Sequence, residues 1–250
     1  MKVVVTRPEP GASRTAQILR ERGHEPILMP LSRAVDLQPD RVKLAANHTG
    51  AYAVTSSNAI RSWFALGIEP SCLERPLYAV GDRTGNTARQ AGFADVRTGG
   101  GDGAGLAGKI ISDVDSGNLL LSTDARLTYV AGTVRHSHFE SALAARKAPV
   151  SVVEIYKIEN ISYSTDFIFR LFSANAPDAV LLYSRKAAER FFDVSKGDDI
   201  CKLLKSSRFL CISKNVSDAV PEQFGQQTAI AASPKEENLL ALLDRSDNLF

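Results

Sequence analysis

The sequence predicts an α/β protein of two similar parallel-sheet lobes with flanking helices, joined by a two-stranded hinge. Short apolar strands alternate with helical stretches along the whole chain, the pattern of parallel sheets covered by helices. Segments also recur: residues 51–64 (AYAVTSSNAIRSWF) read like residues 179–192 (AVLLYSRKAAERFF). The opening strand at 3–7, its helix and its second strand are echoed by 128–135 and the helix and strand after it. The order of the copies matters, because the first block resembles the third and the second resembles the fourth. A compact duplication then places 38–155 together as an inserted lobe. Residues 1–35 join 159–250 in the other, and segments near 31–37 and 152–158 become the two crossings.

Residues 2–6 are a near-continuous apolar run, as expected of a buried parallel strand. A turn at 7–11 leads to Ala12, Ala16 and Leu19 on one helical face, with Gly23 as a left-handed stop. Residues 24–30 form the next strand, and 31–37 are extended. After a polar segment comes a strand at 51–55. Ser56, Ser57 or Asn58 then caps a helix carrying Ile60, Trp63 and Phe64, which stops at Gly67. Residues 77–80 are a strand, and 81–85 open a helix closed by Gly92. A short strand at 94–97 runs into the glycine-rich loop 99–103, which opens a helix with Leu106, Ile110 and Val114 on one face.

Residues 119–122 and 127–131 are apolar segments around a polar turn. A helix over 137–147 precedes a strand at 150–156, and Phe167, Ile168, Leu171 and Phe172 make the next helix amphipathic. Strands at 179–183, 209–212 and 228–232 complete the pattern. The final helix is expected to start at Ser233, with Pro234 in its first turn and Glu236 three residues after the cap.

Composition narrows the function classes. Of 250 residues, 44% are hydrophobic and 23% charged, ordinary for a globular protein. A net charge of +2 gives no basic field for nucleic acid. No apolar run approaches the roughly 18–20 residues of a membrane span. The chain enters a strand without a secretory leader, so a cytoplasmic location is expected. Cys72, Cys201 and Cys211 have no metal-ligand spacing and read as reduced thiols. Nothing in the chain demands a partner subunit, and a monomer is expected.

Thr or Ser next to a helix start recurs at the strand ends: Thr6–Arg7, Thr55 to Asn58, Gly81 to Thr84, Ser184–Arg185 and Ser213–Lys214. Cations recur there too, at Arg7, Arg61, Arg83, Arg135, Arg185, Lys186 and Lys214. Capping explains any one of the hydroxyls. Ligands of open parallel sheets bind beyond the carboxyl ends of the strands, however. Together these groups would line a cleft suited to a ligand with several carboxylates. The glycine run 99–103 lacks the spacing and Lys-Ser/Thr ending of a phosphate loop, and is a connector or a generic anion cradle. His136 and His138 have no acid or Cys at ligand spacing and read as a surface helix start. No Ser–His–Asp set and no carboxylate pair is visible. Tyr156 ends the strand at a crossing, where its phenol either points into the cleft or packs at the hinge.

These residues resemble the uroporphyrinogen-III synthase family of tetrapyrrole biosynthesis, over nearly the whole chain. The resemblance rests on residues 4–8 (VVTRP), 54–59 (VTSSNA), 79–84 (AVGDRT) with 91–93 (AGF), and 154–156 (EIY). It continues in 179–184 (AVLLYS), 211–213 (CIS) and 231–237 (AASPKEE). It implies two α/β lobes, no cofactor and no metal. The substrate it implies is hydroxymethylbilane, a linear tetrapyrrole with two carboxylates on each ring. The family reaction expels the terminal hydroxyl as water, inverts the last pyrrole ring and closes the macrocycle, which makes it a cyclising hydro-lyase step of heme biosynthesis. Free bilane closes unaided to the uninverted isomer, so the enzyme's task is to select the attacking carbon. Tyr156 is then the group that assists departure of the hydroxyl. Thr6, Arg7, Ser56, Ser57, Gly81, Thr84, Ser184, Ser213 and Lys214 bind substrate carboxylates.

Two loops depart from the family pattern: residues 119–126 lack a glycine often found there, and 146–148 (RKA) replace a helix-ending glycine. The alternative reading is a non-catalytic two-lobed binding or sensor protein for a polycarboxylate. A nucleotide-using transferase is disfavoured by the absent phosphate loop.

Overall fold

The computed structural model of the protein describes residues 1–39 and 41–244. The chain divides into two compact units, residues 1–33 with 160–250 and residues 34–159. It therefore passes between them twice.

The first unit opens with β1 (Lys2–Val5), α1 (Gly11–Glu21) and β2 (Glu25–Leu28). Val3, Val4 and Val5 are wholly buried, which is why the run has no polar alternation. Gly23 ends α1 at φ +76°, with its amide on Arg20 O and the next amide on Leu19 O, the paired closure that favours glycine.

Chain order then gives β3 (Ser32–Asp36), α2 (Arg41–Leu44), β4 (Thr49–Val54), α3 (Ser57–Ala65) and α4 (Pro70–Leu73). Next come β5 (Leu77–Ala79), α5 (Asp82–Gln90), β6 (Val96–Thr98), α6 (Gly103–Asp115), β7 (Arg126–Gly132), α7 (His138–Ala145) and β8 (Val150–Asn160). Their sheet has the order β3-β8-β7-β4-β5-β6, and β8, β7, β4, β5 and β6 run parallel. Tyr52, Trp63 and Phe93 pack edge-on or tilted in the core on one face, and Tyr129 with Phe139 in the core on the other.

The chain returns to the first unit with α8 (Thr165–Ala174), β9 (Ala179–Leu182), α9 (Arg185–Val194), α10 (Asp198–Leu203), β10 (Arg208–Cys211), α11 (Lys214–Ser217), β11 (Thr228–Ile230) and α12 (Glu236–Leu240). All pairs in its sheet, of order β11-β10-β9-β1-β2, are parallel. A cluster of Phe172, Phe191, Phe209 and Phe224 fills one face, and Leu19, Leu239, Leu240 and Leu243 cover the other.

Two expectations are corrected, and the apolar segment 119–122 lies outside the sheet. The Leu119 amide bonds to Asp113 O, the Ser122 hydroxyl accepts from the Ala125 amide, and Leu120 is exposed. The last helix starts at Glu236, not Ser233. Lys235 stands at its cap position without a side-chain cap bond, and the Ser233 hydroxyl accepts from the Asn238 side-chain amide instead of a first-turn backbone amide. The strand expected at 150–156 extends to Asn160.

Candidate functional site

Strand ends position the candidate residues in both units. In the first, β10, β9 and β1 are neighbours, so Ser213–Lys214, Tyr183–Ser184 and Thr6–Arg7 follow one edge of one sheet. Thr6 is buried and its hydroxyl donates to Leu181 O at 2.7 Å. Arg7 donates to Glu236 at 2.6 Å and lies 4.4 Å over the Tyr183 ring. Glu236 also accepts from Thr15 at 2.5 Å and Tyr183 at 3.0 Å. Burial pushes the Tyr183 phenol up to about 12, although the Thr15 bond opposes the shift. Ser184 caps α9 by accepting from the Ala187 amide. Ser213 holds the cap position of α11 without a side-chain cap bond, and Lys214 is exposed and paired with Asp218.

In the second unit, β8, β7, β4, β5 and β6 all present their carboxyl ends at one edge. Ser56 caps α3 by accepting from the Asn58 amide at 3.1 Å. Ser57 and Thr84 are buried, joined with Thr87 in a chain of hydroxyls at 3.5 and 3.2 Å. Gly81 stands at the cap position of α5 in extended conformation. The glycine run folds back on α6, where Asp102 caps the helix by accepting from the Gly105 amide at 2.8 Å.

A cavity of about 510 Å³ opens at this edge. Ser56 and Tyr156 line it; Ser57, Gly81 and Thr84 do not. Its other walls are Thr55, Val80, residues 101–103, Tyr129, Gly132, Val134, Arg135 and the start of α7. Tyr129 is almost fully buried, and its hydroxyl lies 2.7 Å from Thr55 Oγ1. Burial raises its pKa, so the phenol keeps its proton across the neutral range. His136 and His138 also line the cavity, both exposed, their rings stacked 6.4 Å apart. Among the described residues, no group of three or more His, Cys, Asp or Glu is placed to share a metal ion.

The cavity thus joins a phenol within β8 to a hydroxyl pair, loop amides and a mostly apolar wall. This surface can hold a flat ring and offer it a proton donor. Sequence reasoning singled out Tyr156, Ser56 and Thr55 but missed Tyr129 and Gly132 as walls. The available signal was that both lie on the strand that echoes β1.

A family model described as uroporphyrinogen-III synthase HemD matches residues 13–241. The chain belongs to the uroporphyrinogen-III synthase family. Solved structures share the fold. The uroporphyrinogen-III synthetase of Helicobacter pylori superposes with a TM-score of 0.61 at 16% identity, covering 97% of each chain. A mutant uroporphyrinogen III synthase of Thermus thermophilus gives 0.53 at 17% identity, over 98% of this chain and 96% of that one. No curated protein sequence matches significantly. The uroporphyrinogen-III synthase fold has two mostly parallel sheets flanked by helices, as the alternation of elements in this sequence requires.

Proposed function

We propose that this chain cyclises hydroxymethylbilane with inversion of the last pyrrole ring and loss of water, acting as a hydro-lyase. The family match over residues 13–241 carries this reading. The described residues contain no helix long and apolar enough to cross a membrane. In this reading the chain works in the cytoplasm as a monomer, on a small molecule and without nucleic acid.

Tyr156 assists departure of the hydroxyl by donating a hydrogen bond or a proton to it. The phenol acts from inside a cavity of about 510 Å³, large enough to keep a pyrrole ring partly from water. Holding the rest of the chain by its carboxylates turns closure into a positioned unimolecular step. At their sheet edges, Ser56, Ser184, Ser213 and Lys214 offer carboxylates the hydroxyl and ammonium protons not used inside the protein. Ser56 and Ser184 engage only as acceptors of first-turn amides, and Lys214 is paired with Asp218 at the surface. Thr6, Arg7, Ser57 and Thr84 already have their side chains bonded inside the protein. They shape those edges and act through their backbones, as does Gly81.

The test is an isomer assay. Freshly generated hydroxymethylbilane is incubated with the purified protein, the products are oxidised, and uroporphyrins I and III are separated chromatographically. Predominant isomer III is the expected result. Isomer I alone at the uncatalysed rate, with folded protein, would sink the enzyme reading and leave the non-catalytic polycarboxylate binder.

A further inference from the structure

The parallel pairing of β7 with β8 breaks at one place. Ala131 pairs with Glu154, but Gly132 pairs with Tyr156, so β8 advances two residues where β7 advances one. Such bulges increase local twist and re-aim a side chain. The effect is visible in burial. Alternation sends Val153 and Ile155 into one core and Val152 toward the other. Tyr156 should follow Val152 and instead joins Val153 and Ile155, so two consecutive residues share a face. Tyr156 lines the cavity from this side, while Tyr129 and Phe139 line it from the core on the other face.

Two further features fix the ring there. A Cβ placed on Gly132 would stand 2.7 Å from Tyr156 Cζ and 3.0 Å from its hydroxyl oxygen, so only glycine leaves room for the phenol end of the side chain. The Thr133 amide donates to Tyr156 O at 3.0 Å, closing the bulge on the β7 side. Arg135 then spans the bulge: its Nη1 donates to Gly132 O at 3.0 Å and to Glu154 at 2.7 Å, the first residue of β7 past the break and the last paired residue of β8 before it. Its Nε donates to Glu140 at 2.5 Å, which ties the start of α7 to the same point. Arg135 also lines the cavity, with two carboxylates already on its guanidinium.

We infer that Gly132, Arg135 and Glu154 are positioning residues that clamp the bulge and hold the Tyr156 hydroxyl at the reacting end of the bilane. The inference rests on the proposed reaction. Gly132 supplies clearance for the ring, and the Arg135–Glu154 pair keeps β8 from slipping back into regular register. Regular register would return Tyr156 to the opposite face of the sheet.

The experiment is a double-mutant cycle on bilane cyclisation, combining Gly132→Ala and, separately, Glu154→Gln with Tyr156→Phe. Glu154→Gln adds no volume and lies at the surface, so it keeps the test open if Gly132→Ala does not fold. Gly132→Ala should lower kcat about tenfold, with KM changed less than about twofold and the product still isomer III. Glu154→Gln should give a smaller loss of the same kind. In the Tyr156→Phe background neither change should lower kcat further, since the hydroxyl being positioned is already gone. Equal losses in both backgrounds would overturn the inference, as would an unchanged rate in Tyr156→Phe alone. Wild-type protein that yields only isomer I would instead fail the proposed reaction itself, a separate outcome.

Discussion

Arg7 donates through Nη1 to Glu236 Oε1 over 2.6 Å, linking residues 229 positions apart. The pair joins the end of β1 to the first residue of α12, and the guanidinium also lies over the Tyr183 ring. Thr15 and Tyr183 converge on the same oxygen. The first unit therefore closes its sheet edge around one internal carboxylate, and α12 is held to β1 and β9 through it.

Glu236→Gln keeps the shape and removes the charge. Hydrogen bonds to a charged acceptor contribute about 1.5–3 kcal/mol each, although several sharing one oxygen are not additive. The variant should lose about 2 kcal/mol, read as a lower urea midpoint with an unchanged slope. An unchanged midpoint would mean that Arg7 finds an equal partner without the carboxylate.

Acid should act on the same contact. Burial favours the neutral form of Glu236, but the bonds from Thr15, Arg7 and Tyr183 and the charge of Arg7 outweigh it, so its pKa is lowered. Asp113, buried on α6, is likewise lowered: burial is overcome by bonds from Lys109, Tyr78 and Arg97. A carboxylate whose folded pKa lies below its unfolded value stabilises fully above the latter, near 4. That stability disappears as pH falls through the folded value. Urea midpoints should stay level for these groups from pH 7 to about 5 and fall steeply below about 4. Glu236→Gln should make the acid limb shallower, and an identical limb in the variant would remove Glu236 from it.

Lys147 takes the conformation that glycine holds elsewhere in this chain. Its φ is +53°, its amide bonds to Ala144 O and the next amide to Leu143 O, the closure that Gly23 makes at the end of α1. A side chain in this region costs roughly 1–2 kcal/mol, partly offset by the greater freedom glycine gives the unfolded chain. Lys147→Gly should raise stability by about 1 kcal/mol, seen as a higher melting temperature. A lower one would show that the Lys147 stem contributes more by packing than its backbone costs.

The two sheets were legible because parallel strands buried on both faces are apolar without interruption, as Val3, Val4 and Val5 are. Helix ends were legible where one residue type does the work, as at Gly23 and Gly67 with positive φ. The start of α12 was not, since Ser233 and Pro234 carry a cap pattern while Glu236 is drawn into a network assembled from three distant segments. The cavity was legible only in part. Ser56 follows a recognisable strand end, and Tyr156 lies where the apolar run at 150–156 gives way to polar residues, although β8 continues to Asn160. Tyr129 lines the cavity from regular register, while Gly132 meets Tyr156 through a bulge whose local sign is two consecutive buried residues, Ile155 and Tyr156, where period two allows one.

Two phenols line one cavity, and they should separate by experiment. Tyr129 is bonded to Thr55 and buried, so Tyr129→Phe removes one hydrogen bond and leaves Thr55 without that partner. It should cost about 1 kcal/mol of stability and change kcat less than about threefold. Tyr156→Phe removes the proposed donor to the departing hydroxyl. General acids contribute on the order of 10²–10⁴ in rate, and a phenol is a weak one, so kcat should fall about ten- to a hundredfold. Isomer III should still dominate, because ring choice comes from how the bilane is held and not from who donates to its hydroxyl. Rates and isomer ratios for the two variants, measured beside their urea midpoints, decide the roles. If Tyr129→Phe shows the larger kinetic loss at full stability, the donor is Tyr129, and Tyr156 becomes part of the wall.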